Sequence, residues 1–266
     1  MTSASAAVRP GRSPGAPGVR VEVATWRPVD VTTIDGWQVG RSAGFTRRAN
    51  SVVALAEPAD PERALDGAEA LYREHGLPPV VRVCAGSAPA DLDARLARRG
   101  YAVAATTQVM ARGGLAELPA PEPSDGATVH VADAPDAAWV AGWVGVKSQL
   151  SGHGVDHGLA ARILTGSPAR YLSARAADGT LLGVVRAAPA DDWVAVSCLM
   201  VPAAGRRRGI GRALTLAALR DAAGRGAERA FLQVEASNAG AVALYAGLGF
   251  EVVDTYHYRE RVTPRP

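Results

Sequence analysis

Hydrophobic and polar positions along this chain alternate between two periods, and the switches between them mark its elements. Near the N-terminus, "GWQVGRSAG" and "RANSVVALA" have the alternation of paired strands, and "DPERALDGAEALYREHG" has helical spacing, with Asp60 placed to cap it and Pro61 in its first turn. "PVVRVCA" then reads as a strand, "ADLDARLARRG" as a helix and "YAVAATTQVMAR" as a strand. Further on, "ATVHVADA" is a strand and "PDAAWVAGWVGVKSQL" a helix, with "HGLAARILTG" a second helix. "RYLSARA" and "TLLGVVRAA" are strands joined at an Asp178-Gly179 turn, and "DWVAVSCLMV" reads as a buried strand after the turn residues Asp191 and Asp192. "GIGRALTLAALRDAAGRG" is a helix closed by Gly224 or Gly226, "RAFLQVEA" a strand, "NAGAVALYAGLG" a short helix capped by Asn238, and "FEVVDTYHYRERV" one bent strand or two.

The series repeats. Gly100-Tyr101 aligns with Gly249-Phe250 at an offset of 149 residues, and the same offset brings Arg63-Ala64-Leu65 onto Arg212-Ala213-Leu214. The order helix, strand, helix, strand agrees as well, so the chain reads as two diverged copies of one α/β fold. The Ser/Pro/Gly/Ala-rich residues 1–18 read as a disordered tail, 19–111 as the first copy, the Pro- and acid-rich 112–126 as a linker, and 127–266 as the second copy.

Composition narrows the function. A formal charge of +3 on 266 residues is too thin for a nucleic-acid protein unless clustered. Two distant cysteines, Cys84 and Cys198, give neither a disulfide framework nor a metal site, and Cys198 reads as a small buried hydrophobe. With no apolar run of spanning length and no leader pattern, the expectation is a cytoplasmic protein without a membrane partner. The sequence leaves the oligomeric state open.

Chemistry concentrates in "GRRRGIGRAL", Gly205 to Leu214. A strand, a glycine turn and a helix start present unpaired backbone N–H groups to an anion, and Arg206, Arg207 and Arg208 add positive charge. The nucleoside-triphosphate loop needs Lys followed by Ser or Thr where this chain has Arg212-Ala213, and the dinucleotide fingerprint needs a small residue where Leu214 stands. Arg206-x-x-Gly209-x-Gly211 resembles the cofactor loop of the GNAT superfamily of N-acetyltransferases. "LMVPAAG" before it resembles that family's splayed central strand, and "LQVEASNAGAVALYAGLGF" after it resembles its second cofactor segment. "GFTRRANSV" and "YHYR" resemble a two-repeat subgroup.

The resemblance implies two GNAT-like mixed-sheet repeats, the second one active. It implies acetyl-coenzyme A as donor, held by Leu199, Met200, Val201, Arg206, Arg207, Arg208, Gly209, Ile210, Gly211, Arg212, Ala213, Asn238, Ala241 and Tyr245. It also implies direct attack by an amine on the thioester, with Tyr245 protonating the leaving thiolate. A core tyrosine is the rival reading of Tyr245. No carboxylate lies in the middle of "DWVAVSCLMV", so Glu235 is the candidate base; His153 and His157 could be base, acceptor contact or loop. The acceptor, a small-molecule amine or a protein amine, stays open. So do a different acyl-coenzyme A donor, a coenzyme A-sensing protein without turnover and weak nucleic-acid binding through the arginines. Thr46–Asn50 hints at a role between the copies. In the first copy Asp60 replaces Gly209, Glu62 replaces Gly211, Glu57 replaces Arg206 and Leu96 replaces Tyr245, so that copy is expected to bind no coenzyme A.

Overall fold

The computed structural model describes residues 14–119, 126–151 and 154–261. His153 and parts of the expected tail and linker lie outside them. In chain order the elements are α1 (Val19–Thr25), β1 (Asp30–Ile34), β2 (Trp37–Arg41), β3 (Val52–Ala54), α2 (Pro61–Glu74), β4 (Val80–Val83), α3 (Leu92–Arg98), β5 (Ala102–Arg112), β6 (Thr128–Ala132), α4 (Ala137–Ser151), α5 (His157–Thr165), β7 (Arg170–Arg175), β8 (Leu181–Ala190), β9 (Trp193–Met200), α6 (Ile210–Ala223), β10 (Arg229–Glu235), α7 (Ala239–Ala246) and β11 (Glu251–Glu260). Short 3₁₀ turns at Arg47–Ala49, Leu115–Glu117 and Ala203–Gly205 join some of them.

The repeat is visible in the elements. Helices α2 and α6 stand 149 residues apart at both ends and have 14 residues each. Strands β3 and β4 pair in parallel, as do β9 and β10. The 11 strands form one sheet in the order β1-β2-β3-β4-β11-β5-β10-β9-β8-β7-β6. The last strand of each copy has therefore crossed into the other: β11 lies between β4 and β5, and β5 lies against β10. Where β5 meets β11, Thr107 faces Tyr256, its own counterpart at the repeat offset, so a pseudo-twofold axis passes through that pair. "FEVVDTYHYRERV" is one strand, with register shifts at Val252/Asp254 and Tyr258/Arg259 where it bends.

Alternation across the sheet sorts the helices by face. Val185, Ala187, Val194, Val196, Leu232 and Val234 pack with α6 and α7, whereas Val184 packs with Trp139, Trp143 and Ile163 of α4 and α5. On β4, Val81 faces α2 and α3 while Val80 and Arg82 face the side of α1. One face thus carries α2, α3, α6 and α7 and the other α1, α4 and α5.

Val19–Thr25, "VRVEVAT", is helical although its β-branched residues alternate; Thr25 Oγ1 donates to Glu22 O at 2.8 Å, and both residues are buried. In the segment read as a linker, Arg112 ends β5 and its guanidinium donates to Leu248 O at 2.5 Å, while Leu115 is buried under α6.

Candidate active site

The site begins where two parallel strands separate. β9 and β10 pair from Trp193–Arg229 to Val196–Leu232, and beyond that pair they diverge. On the far side of β9 the register jumps from Arg186–Ser197 to Val184–Met200, so Cys198 and Leu199 stand against Val185 alone. Cys198 takes φ 56° at this bulge, a left-handed conformation unusual outside glycine. The extra residue changes which side chains face which way. Val194 and Val196 face α6 before the bulge and Leu199 and Val201 after it, while Cys198 and Met200 join the cluster under α4 and α5. Cys198 is half-buried there.

On the α6 face the chain runs through Pro202 and a 3₁₀ turn into exposed Arg206–Gly209. Arg207 has φ 61° and Gly209 φ 73°, two left-handed residues that turn the chain into α6. Gly209 is the N-cap and offers no side chain, so the N–H groups of Gly211 and Arg212 have no side-chain acceptor. A Cβ on Gly209 would meet nothing within 4 Å, whereas one on Gly211 would touch Leu244 at 3.5 Å and Leu199 at 3.7 Å. Ile210 is buried and anchors the helix start; Gly211, Arg212 and Ala213 are half-buried. The cradle is glycine-lined, uncapped and positively charged, and so fits the diphosphate of a coenzyme.

The first copy shows what the same architecture looks like when closed. At the N-cap of α2, Asp60 Oδ1 accepts from Glu62 N at 3.0 Å and Arg63 N at 3.1 Å, the counterparts of the free N–H groups in α6. Glu62 pairs with Arg95 at 2.8 Å and Arg99 at 2.6 Å, both reaching across from α3. Hydrogen bonds from Arg99, then Arg95, hold its carboxyl below the ordinary range. At the offset of 149, Leu244 and Leu248 stand beside α6 where Arg95 and Arg99 stand beside α2, so the second copy has neither the carboxylate nor its two arginine partners.

Tyr245 lies on α7 in the apolar cluster with α6, its ring edge-on to Phe250 at 5.9 Å. Burial, with a smaller contribution from Cys198, pushes its hydroxyl well above the ordinary value, so it stays protonated. Asn238 caps α7 through Oδ1, accepting from Ala241 N at 3.1 Å. Glu235 ends β10, exposed, on the opposite face from Tyr245. His157 starts α5 and is exposed. The structure thus brings Leu199, Val201, the loop and the start of α6 together on one side of the fork, with Tyr245 on α7 packed against the same cluster, while Met200 faces the other side.

The other side of the fork carries residues that the sequence did not reveal. Gln233, the first β10 residue past the split, accepts from Arg48 Nη1 at 2.5 Å and donates to Glu22. Glu22 is buried and pairs with buried Arg82 at 2.5 Å. Arg48 lies over the Trp26 ring at 4.4 Å, and Arg47 reaches Glu260 at 3.5 Å. Asn50 holds this loop by accepting from Ser42 N and Gly44 N and donating to Thr46 O. Thr46–Asn50 is therefore a joint between the copies, and "TRRAN" was its only signal in the sequence. Fully buried Arg186 donates to Leu164 O and Thr25 O, each at 2.9 Å, clasping α5 and α1 onto β8.

Among the described residues no cluster of His, Cys, Asp and Glu could hold a metal ion, and no helix is long and apolar enough to cross a membrane. Residues 20–262 match the family model described as "Probable histone acetyltransferase Rv0428c C-terminal". The N-acetyltransferase YobR of Bacillus subtilis is 27% identical over 244 residues, 90% of this chain and 96% of that protein. A mycothiol acetyltransferase of Nocardioides is 51% identical over only 51 residues, 19% of this chain and 17% of that protein. In fold, a GCN5-related N-acetyltransferase from Kribbella flavida superposes with TM-score 0.63 at 17% identity, covering 94% of this chain and 98% of its own. A tandem GNAT protein from the clavulanic acid biosynthesis pathway superposes with TM-score 0.58 at 17% identity, covering 77% and 70%. With a family model spanning nearly all of its described residues, this chain belongs to the family described as "Probable histone acetyltransferase Rv0428c C-terminal", and its fold is that of a tandem GNAT protein.

Proposed function

We propose that the protein transfers an acetyl group from acetyl-coenzyme A to a primary amine by direct attack, at one site in its second copy. The observation that carries this reading is the contrast between two equivalent helix starts: α2 is capped by its own Asp60, and α6, at Gly209, has no side-chain cap. Only the second can give its N–H groups to a diphosphate.

Acetyl-coenzyme A supplies the thioester-activated acetyl group. Arg206, Arg207, Arg208 and Arg212 bring charge to its diphosphate, Gly209 and Gly211 let the backbone approach, and Ile210 and Ala213 complete the turn. Leu199, Met200 and Val201 lie past the last β9–β10 pair, where the pantetheine arm can pair with the strand edge and a strand N–H can polarise the thioester carbonyl. Asn238 fixes α7, and Ala241 and Tyr245 stand on it. Tyr245 keeps its proton and can give it to the leaving thiolate. Glu235, exposed on the opposite face, can take a proton from the attacking amine, directly or through water. This arrangement has cofactor and acceptor approaching the fork from opposite faces.

The test is thiol release from acetyl-coenzyme A across a chemically diverse amine panel, beside calorimetric titration of the same ligand. Turnover with any amine is the expected result. Tight binding with no turnover would make the protein a coenzyme A sensor instead.

A further inference from the structure

The acceptor face of the fork is rich in donors and poor in acids. Arg48 is half-buried; its guanidinium meets the Gln233 amide oxygen and the Trp26 ring, and among the described residues no carboxylate lies within 4.0 Å of it. The nearby carboxylate of Glu22 is taken by Arg82 and by the Gln233 amide. On this side of the fork three buried polar atoms have no hydrogen-bond partner: Trp26 Nε1, Thr46 Oγ1 and Ser197 Oγ. Trp26, only 3% exposed, lies beneath the guanidinium; Thr46 is two residues from it; Ser197 is the first β9 residue past the split, opposite Gln233 on β10. Buried donors without partners are costly, and a bound polar group that satisfied all three would remove that cost. One guanidinium, one indole N–H and two hydroxyls match an oxyanion.

We infer that the acceptor carries an oxyanion, a carboxylate or a phosphate, beside its amine, and that Arg48 of the first copy binds it together with Trp26, Thr46 and Ser197. The inference rests on the transferase reading above. It gives the first copy a direct part in substrate choice: the site lies in the second copy, but the cation that reads the acceptor comes from the first.

Matched acceptors test it. Amino acids are compared with their carboxamides, and phosphoethanolamine with ethanolamine, by thiol release from acetyl-coenzyme A. Loss of one charge-assisted hydrogen-bonding group should lower kcat/KM roughly 10- to 100-fold for the uncharged member of the favoured pair. The carboxylate raises the pKa of its neighbouring amine, which works against the free acid and makes the comparison stringent. Arg48→Ala should erase the preference by raising KM for the anionic acceptor at least about tenfold more than KM for its uncharged partner, with acetyl-coenzyme A affinity measured beside it as the control for an intact cofactor site. The wild-type comparison stands even if that variant does not fold. Uncharged or peptide amines used as well as anionic ones, or a preference that survives in Arg48→Ala, overturns this inference alone. No thiol release with any amine, despite acetyl-coenzyme A binding, overturns the transferase reading and this inference with it.

Discussion

Replacing Gly211 by aspartate should strengthen the free protein and abolish its cofactor binding. Gly211 sits in the first turn of α6 and has no positive φ. A Cβ there makes ordinary contacts with Leu244, Leu199 and Val201 at 3.5, 3.7 and 3.8 Å. Removing a helical glycine and placing a carboxylate near a helix N-terminus each contribute a few tenths of a kcal/mol, so the variant should gain about 0.5–1 kcal/mol. In a chain of this size that raises Tm by roughly 2 °C. For binding the sign reverses. The new carboxylate, at the position that Glu62 holds in the first copy, sets a negative charge and a side chain at the helix start where the diphosphate would take the N–H groups of Gly211 and Arg212. Two charge-assisted hydrogen bonds at about 1.5–3 kcal/mol each amount to a loss of roughly 10²–10⁴-fold in Kd. Thermal unfolding with and without acetyl-coenzyme A reads both effects. At about 100 times Kd the wild type gains about 2.7 kcal/mol, and the variant at the same concentration should gain almost nothing. A variant that keeps the wild-type ligand shift, or one that is destabilised without ligand, would refute the reasoning.

Tyr245→Phe should reduce turnover about 10²-fold, the low end for a general acid because the thiolate is a good leaving group, with cofactor affinity and Tm nearly unchanged; unfolding in place of slow turnover would mark a core tyrosine. Titration with acetyl-coenzyme A should give one site per chain, since Asp60 and Glu62 close the first copy; two equivalent sites would contradict that. Asp93 holds Arg259 and His257 of β11 against α3, and the hydrogen bonds from Arg259, then His257, lower its pKa from 3.8 to about 2. Its contribution to stability is therefore full above about pH 4 and lost as pH falls toward 2, so the deficit of Asp93→Asn, followed by thermal unfolding, should shrink over that window; a pH-independent deficit would refute the tie.

What the sequence disclosed and what it hid follow from the range of the interactions. The stretch from β9 to α7 was legible because strand, glycine turn and capped helix are local rules: Gly209, Asn238 and Asp60 stand at the helix starts where they were expected. Helix α1 was hidden because Val19, Val21 and Val23 alternate like a strand, and tertiary contacts around buried Glu22 override that preference. Edge strand β1 has an exposed, largely polar pattern with little signal. The exchange of β5 and β11 leaves no mark, since the repeat fixes each strand's identity and not its partner. Arg48 and Gln233 are ordinary polar residues until the fold brings them together across 185 positions.

The crossed strands also order the protein's assembly in time. Strand β5 is hydrogen-bonded on both sides by residues made after it, β10 and β11, and β4 gains its second neighbour only from β11. During synthesis the first copy therefore waits with open strand edges at β4 and β5 until nearly 150 further residues have followed. An unpaired edge is a template for wrong partners, a second nascent chain among them. The sheet is completed only when Glu251–Glu260 slot into its centre. Separating the copies by proteolysis or subcloning would not yield two modules; each would lack its own last strand's place in the sheet.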